Sequence, residues 1–330
     1  MAAADTTTTA DRTGRFSRDA AVRQRPVAKD RGRAGSRWTP YMFMAPYLIL
    51  FVVFVLVPIF LGIWMSLHNW DQFLPDKPWV GLKNYRDLFD SNSPTSQPFW
   101  MAMKATGIFV VLSVPLLVVL PLGVALLLNG RFRGRGFFRA VFFAPYVIGV
   151  AVIGVVWRLL LDPNIGIVNH LMDQVGLPGH TAWTTSLPWA WVSLVGMTVW
   201  WTLGFNAIIY LAALQEIDTQ LYDAALVDGA SGWQRFRNVT LPGLRPVLFF
   251  IVTVTVLASA NMFGQSYLVT QGAPGNQTRT AIQFIAEEGF RNFRLGSAAA
   301  MSYVLSIFLM LLSAVVFFVF RDRGSAENAG

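Results

Sequence analysis

Residues 43–67 read FMAPYLILFVVFVLVPIFLGIWMSL, a run with no charged side chain. A helix rises about 1.5 Å per residue, so roughly 20 apolar residues cross the hydrocarbon core of a bilayer, and this run is long enough. It starts after some forty residues and is too long for the apolar core of a cleaved export signal, so it is expected to stay as a membrane helix. Working outward, five further stretches reach spanning length: 105–128, 140–161, 189–214, 247–270 and 297–320. The expected fold is an all-α membrane protein of six transmembrane helices.

Composition agrees. Of the 330 residues, 54% are hydrophobic and 13% charged, about half the charged share of a soluble domain. Aromatic residues at 14% suit interfacial anchoring. The absence of cysteine excludes disulfides and thiolate chemistry. A net charge of +8 raises the question of nucleic acid, but nine cations (Arg12, Arg15, Arg18, Arg23, Arg25, Lys29, Arg31, Arg33 and Arg37) sit in one stretch poor in apolar residues. Residues 1–40 therefore read as a disordered basic tail that serves as a topology signal, with contact to anionic lipid headgroups as the other reading, and no nucleic acid is expected. Residues 41–320 form the transmembrane domain and 321–330 a short second tail.

Orientation follows from Lys and Arg in the connections. The tail cations, Arg131, Arg133, Arg135 and Arg139, Arg235, Arg237 and Arg245, and Arg321 and Arg323 share one side; the other side holds far fewer. Both termini are expected in the cytoplasm, together with the connection between the fourth and fifth spans. The one clear ionisable residue within a span is Arg158, placed to snorkel at a helix end. That scarcity argues against an ion-coupled carrier, and the lack of a His, Cys or paired-acid cluster at membrane depth argues against an intramembrane enzyme.

The connection over 215–246 reads QEIDTQLYDAALVDGASGWQRFRNVTLPGLRP. Asp218 is a candidate N-cap, and Ile217, Leu221 and Ala225 recur with helical spacing. Asp228 and Gly229 end this helix, and Trp233 and Phe236 open a second that Leu241 and Pro242 terminate. A pattern of Asp223-Ala224-Ala225, three residues, Gly229, nine residues, then Val239-Thr240-Leu241-Pro242 resembles the EAA loop of permeases from binding-protein-dependent ABC importers. Gly81-Leu82-Lys83-Asn84-Tyr85 and Gly134-Arg135-Gly136-Phe137-Phe138-Arg139 are similar to the sugar-transport branch. Asp223 stands where that family usually has Glu.

The resemblance implies the type I importer permease fold in a bacterial inner membrane. It also implies an ATPase subunit dimer that grips the loop as a coupling helix, a second non-identical permease, and an extracytoplasmic solute-binding protein that delivers a sugar-like solute. ATP and magnesium belong to the partner ATPase. None of the lysines here follows a glycine, so this chain has no P-loop and is expected to carry no catalytic site, cofactor or metal. Gly229 allows a positive φ, and Ala224 and Ala225 allow close approach of a partner. The alternative is a structural or signalling membrane protein whose loop recruits a cytoplasmic partner without moving solute.

For the solute path, neutral hydrogen-bonding groups and rings within spans are the candidates: Thr202, Asn206 and Tyr210 with Thr198 on the fourth, Asn261 and Gln265 on the fifth, and Tyr303 beside the serines of the sixth. Tyr267 joins Asn261 and Gln265 only if their helix is distorted. Reporter fusions test the topology: after Gln72 and Gly275 they should read external, and after Gly232 internal. An external signal at Gly232 would overturn the orientation.

Overall fold

A computed structural model describes residues 39–130, 132–177 and 179–321. The basic tail expected over 1–40, as far as residue 38, and the second tail from residue 322 lie outside the described residues. Met1–Val57 and Pro58–Gly330 form separate units. Helix runs without a gap through α1 (Tyr41–Ser66), and none of its most apolar window is buried within the chain. A helix apolar on all sides requires an apolar surround such as lipid or another protein.

In the second unit a short α2 (Lys83–Phe89) leads to α3 (Ser96–Asn129). Then come α4 (Arg135–Val147), α5 (Val150–Leu160), the short α6 (Ile167–Gln174) and α7 (Trp189–Glu216). The loop helices α8 (Thr219–Val227) and α9 (Gly232–Gly243) precede α10 (Arg245–Ala260), α11 (Ala281–Ala286) and α12 (Leu295–Arg321). Half of the most apolar window of α7 is buried, against 33% for α3 and 6% for α12, so α7 is the central helix and α3 packs along it. Buried positions on α3 fall at Ala102, Thr106, Phe109, Ser113, Leu117 and Pro121, the three-to-four spacing of one helix face.

Among the described residues, four helices (α1, α3, α7 and α12) are long and apolar enough to cross a membrane unbroken, or up to six if each of two bent pairs, α4 with α5 and α9 with α10, counts as one span. The expected continuous spans at 140–161 and 247–270 are therefore corrected. The first is split into α4 and α5 at an angle of 97°. Pro145 has no N–H to continue the ladder, and Ile148 and Gly149 are extended, with ψ of 131° and 145°. The indole Nε1 of Trp201 donates to the exposed Ile148 carbonyl at 3.0 Å, supplying a partner that the break removed. The second stops at Ala260; Asn261 to Phe263 are non-helical, and a π-helical turn follows at Ser266–Thr270. Thr280 Oγ1 donates to the Met262 carbonyl at 2.7 Å in this break.

Glycines set the close crossings. A Cβ at Gly204 on α7 would overlap the Phe142 carbonyl oxygen and lie 2.7 Å from Phe143 Cα, so the α4 backbone rests directly on α7. A Cβ at Gly154 would lie 2.8 Å from Leu268 Cβ, and one at Gly264 2.9 Å from Val150 Cγ2, which seats the broken segment after α10 on α5. Gly81-Leu82-Lys83-Asn84-Tyr85 acts as a clamp on the end of α1. Asn84 Nδ2 donates to the Ser66 and His68 carbonyls at 2.8 and 2.9 Å, and the Tyr85 hydroxyl lies 2.8 Å from Ser66 Oγ.

Gly204→Ala should destabilise the folded chain by about 1–3 kcal/mol, the usual cost of forcing extra volume into a packed contact. Gly196→Ala on the same helix is the control, because its Cβ meets nothing within 4 Å. Thermal unfolding in detergent compares them, and equal stability of the two variants would contradict the backbone contact at Gly204.

Candidate functional site

The connection over 215–246 is a pair of capped helices. Asp218 Oδ1 accepts the Gln220 N–H at 2.9 Å and starts α8, as expected for an N-cap. The helix ends with the Ala230 N–H donating to the Ala225 carbonyl at 2.9 Å and the Gly229 N–H to that of Leu226 at 3.0 Å. This double closure needs a left-handed residue, and Gly229 has φ +73°. Ser231 and Gln234 then form a capping box, the Ser231 N–H donating to Gln234 Oε1 at 2.7 Å, which opens α9 two residues after the turn.

The second helix does not stop at Leu241 and Pro242 but runs on to Gly243. It passes through a π-helical turn at Phe236–Thr240, and a turn widened by one residue accommodates the ring of Pro242. The pair is fixed to the bundle from beneath. Leu244 is fully buried in a cluster with Leu128, Tyr210, Leu214 and Ile251, against which Ile217 packs. The Tyr222 and Thr240 hydroxyls, 2.9 Å apart, tie α8 to α9.

What faces outward includes several large apolar side chains. Val227 is 89% and Trp233 68% exposed, Leu221 and Leu226 are also exposed, and the Trp233 ring stacks on Phe236 at 5.4 Å. Asp223, Ala224, Gly229 and Leu241 share the exposed surface, while Ala225 and Pro242 are half-buried. A groove of about 930 Å³ runs between the end of α3 and α9, lined by Leu126, Asn129, Tyr222, Trp233, Arg235 and Phe236. Within it, Arg235 Nε is buried without a hydrogen-bond partner.

The polar groups expected along a solute path are held in several ways. Thr202 Oγ1 donates to the Thr198 carbonyl of its own helix at 2.8 Å. Asn206 Nδ2 donates to the Leu117 carbonyl on α3 at 3.0 Å. Leu117 stands four residues before Pro121, which has no N–H to give it, so Asn206 replaces a missing helix bond. Tyr210 is fully buried and its hydroxyl has no partner. The Tyr303 hydroxyl donates to the Ile59 carbonyl at 2.6 Å across Gly62, where a Cβ would lie 2.6 Å from the oxygen.

Asn261 and Gln265 do not share a regular helix face, because α10 ends at Ala260 and the chain is non-helical from Asn261 to Phe263. Asn261 Nδ2 is bonded back to the Leu257 carbonyl at 2.8 Å, whereas Gln265 is buried. The distortion that would admit Tyr267 is present, and its exposed ring stacks on Phe263 at 5.2 Å and 15°. Phe263 was not legible as a partner, since stacking at i, i+4 here depends on the helix restarting at Gly264.

Sequence reasoning also missed an ionic cluster between the broken segment and α12. Arg279 pairs with Glu287 at 3.0 Å with both side chains at least 80% covered, and Gln283 Nε2 donates to the same carboxylate. Glu288 is 2% exposed, accepts from Asn292 Nδ2 at 2.8 Å, and meets Arg294 at 3.5 Å. Among the described residues no group of three or more His, Asp or Glu is placed to hold a metal ion.

The model of the family described as "Binding-protein-dependent transport system inner membrane component" matches residues 103–321. The chain belongs to that family. It is a multi-pass inner-membrane permease of an ABC importer, a non-catalytic component that forms the translocation path. A probable ABC transporter permease, YurN of Bacillus subtilis, is 32% identical over 277 residues, covering 83% of this chain and 93% of its own. The trehalose/maltose transport system permease MalF of Thermococcus litoralis is 33% identical over 277 residues, with 84% and 91% covered. The fold matches that of a bacterial ABC transporter importing the acidic polysaccharide alginate, with TM-score 0.70 at 23% identity over 86% of this chain and 96% of that one.

Replacing Asn206 by Leu strands the Leu117 carbonyl and should cost the permease about 1–3 kcal/mol of stability, read as a lower unfolding temperature in detergent. Unchanged unfolding with loss of solute uptake alone would return Asn206 to the solute path.

Proposed function

We propose that this permease carries a sugar or sugar-like solute inward through six spans, with both termini in the cytoplasm and residues 215–246 acting as the coupling loop. In this reading α4 with α5 counts as one span and α10 with the broken segment up to Thr270 as another, while α9 stays outside the membrane. Named relatives support the substrate class: the trehalose/maltose permease above, the lactose permease LacF of Rhizobium radiobacter at 33% identity, and sn-glycerol-3-phosphate permeases UgpA of Escherichia coli at 34%. Neutral amide and hydroxyl groups with nearby rings suit hydroxylated solutes. Asn261, Gln265 and the Phe263–Tyr267 stack are the groups in the break after α10 that such a solute would meet, with Thr202, Tyr210 and Tyr303 as further candidates on the path. A second, non-identical permease and an extracytoplasmic binding protein complete the assembly, and the all-round apolar composition of α1 suits a membrane-embedded neighbour.

The observation that carries the coupling role is the surface of α8 and α9. Two short helices locked by a left-handed turn and a capping box, anchored beneath by Leu244 and Ile217, leave Val227 and Trp233 largely exposed. A rigid, apolar, externally uncovered element is what an ATPase dimer needs in order to push on the bundle. Asp223, Ala224 and Ala225 would meet that partner, and Leu241 and Pro242 would pass the motion to α10.

Gly229 separates backbone strain from contact, because a Cβ there meets nothing within 4 Å in this chain. Gly229→Asn tolerates the left-handed conformation, and Gly229→Ala should lose only about 1–2 kcal/mol locally. Gly229→Trp should insert normally yet lose the ATPase subunits or the substrate-stimulated hydrolysis. Wild-type uptake and ATPase stimulation in the Trp variant would sink the coupling assignment.

A further inference from the structure

The turn into α4 carries charge and exposed rings that the coupling role does not use. Gly134 has φ +92° and starts the helix in a left-handed conformation, which brings the residues on either side of it together. Phe132 and Phe138 have ring centroids 5.9 Å apart, and Phe137 and Phe138 5.8 Å, so three rings form one cluster. All three are exposed, Phe137 at 69%. Arg133, Arg135 and Arg139 alternate with them. The sequence has no Asp or Glu between Asp90 and Asp162, and none of the three arginines joins an ion pair within the described residues. Two nitrogens of Arg139, Nε and Nη2, are buried and have no hydrogen-bond partner.

We infer that this turn is a binding site for the phosphate headgroup of an anionic phospholipid, with Arg133, Arg135 and Arg139 as the cations and Phe132, Phe137 and Phe138 as the apolar wedge beside them. Charge complementarity alone would suit any anion. Continuity with an uncovered apolar side of α4 selects lipid, because Phe137, Val141, Ala144 and Ile148 form one exposed stripe running from the cations along the helix. A soluble phosphate gives the rings no reason to be uncovered, whereas rings at the headgroup level beside arginines are the usual composition of a membrane-surface anchor. Guanidinium groups match phosphate oxygens with paired N–H donors. A small swing of the Arg139 side chain toward the surface would give its two stranded N–H groups an acceptor.

Which leaflet is used follows the proposed orientation, while the lipid preference does not depend on it. The test reconstitutes the full chain with its partner subunits in vesicles of equimolar phosphatidylcholine and phosphatidylglycerol, with either lipid spin-labelled. The wild type should immobilise phosphatidylglycerol in preference to phosphatidylcholine. Arg135→Gln and Arg139→Gln should each lower that preference about fivefold, the worth of ~1 kcal/mol per cation at a membrane surface. Arg135→Lys should retain most of it, and Phe137→Ser should weaken immobilisation of both labels. If Arg139→Gln fails to fold, Arg133→Gln at an exposed position carries the same expectation. Equal preference in wild type and all Gln variants would overturn the site. Displacement of the label by inorganic phosphate would assign the arginines to a soluble anion instead, and a preference seen only when partner subunits are stripped away would assign them to a partner's carboxylate. A fusion after Gly232 reads the orientation separately, so failure of one reading is not failure of the other.

Discussion

A backbone carbonyl without a donor inside a bilayer costs several kcal/mol, and the architecture is organised around the places where a helix gives one up. Pro121 leaves the Leu117 carbonyl free, and Asn206 of α7 supplies its donor. The 97° break between α4 and α5 leaves the Ile148 carbonyl, which Trp201 of α7 takes. The break after α10 leaves Met262, which Thr280 takes. Two of the three donors belong to the central helix, so α7 is central in two senses: it buries the most surface, and it repairs the helices that pack on it.

This repair separates structural polarity from functional polarity. A buried Asn or Thr in a membrane helix reads equally well as a solute contact or as a bridge between helices. Thr202, Asn206 and Tyr303 are bonded to backbone carbonyls, while Gln265 and the Phe263–Tyr267 stack are not committed in that way. The broken stretch beyond α10 thus combines irregular backbone with polar and aromatic side chains. Irregular backbone at membrane depth is tolerated where protein or a water-filled cavity covers it.

At the opposite end of the bundle the chain uses rigidity. The Gly229 turn, the Ser231–Gln234 capping box and the Tyr222–Thr240 contact each satisfy groups locally, so α8 and α9 hold their shape without a partner while keeping apolar side chains uncovered. Leu244 sits at the 69° corner between this pair and α10, buried among residues of α3 and α7. Force applied to the pair therefore reaches all three helices through one packed cluster.

Length and apolarity were enough to find α1, α3, α7 and α12, because a 20-residue run without charge has few other uses. Local spacing also gave the Asp218 cap and the positive φ at Gly229, since capping and left-handed turns depend on residues a few positions apart. The two helix breaks were not legible. Their composition is as apolar as that of a continuous helix, and whether Pro145 kinks or breaks a helix depends on Trp201 and Gly204, about sixty residues away in sequence. The same holds for Asn206, whose partner lies on α3, and for Glu288, whose burial needs the loop to fold back toward α12. Sequence determined which segments must leave water and how short turns close, because those are local free energies. Tertiary structure alone decided which polar groups are spent on repairing helices, because a lost backbone hydrogen bond can be replaced only by whatever side chain the fold brings beside it.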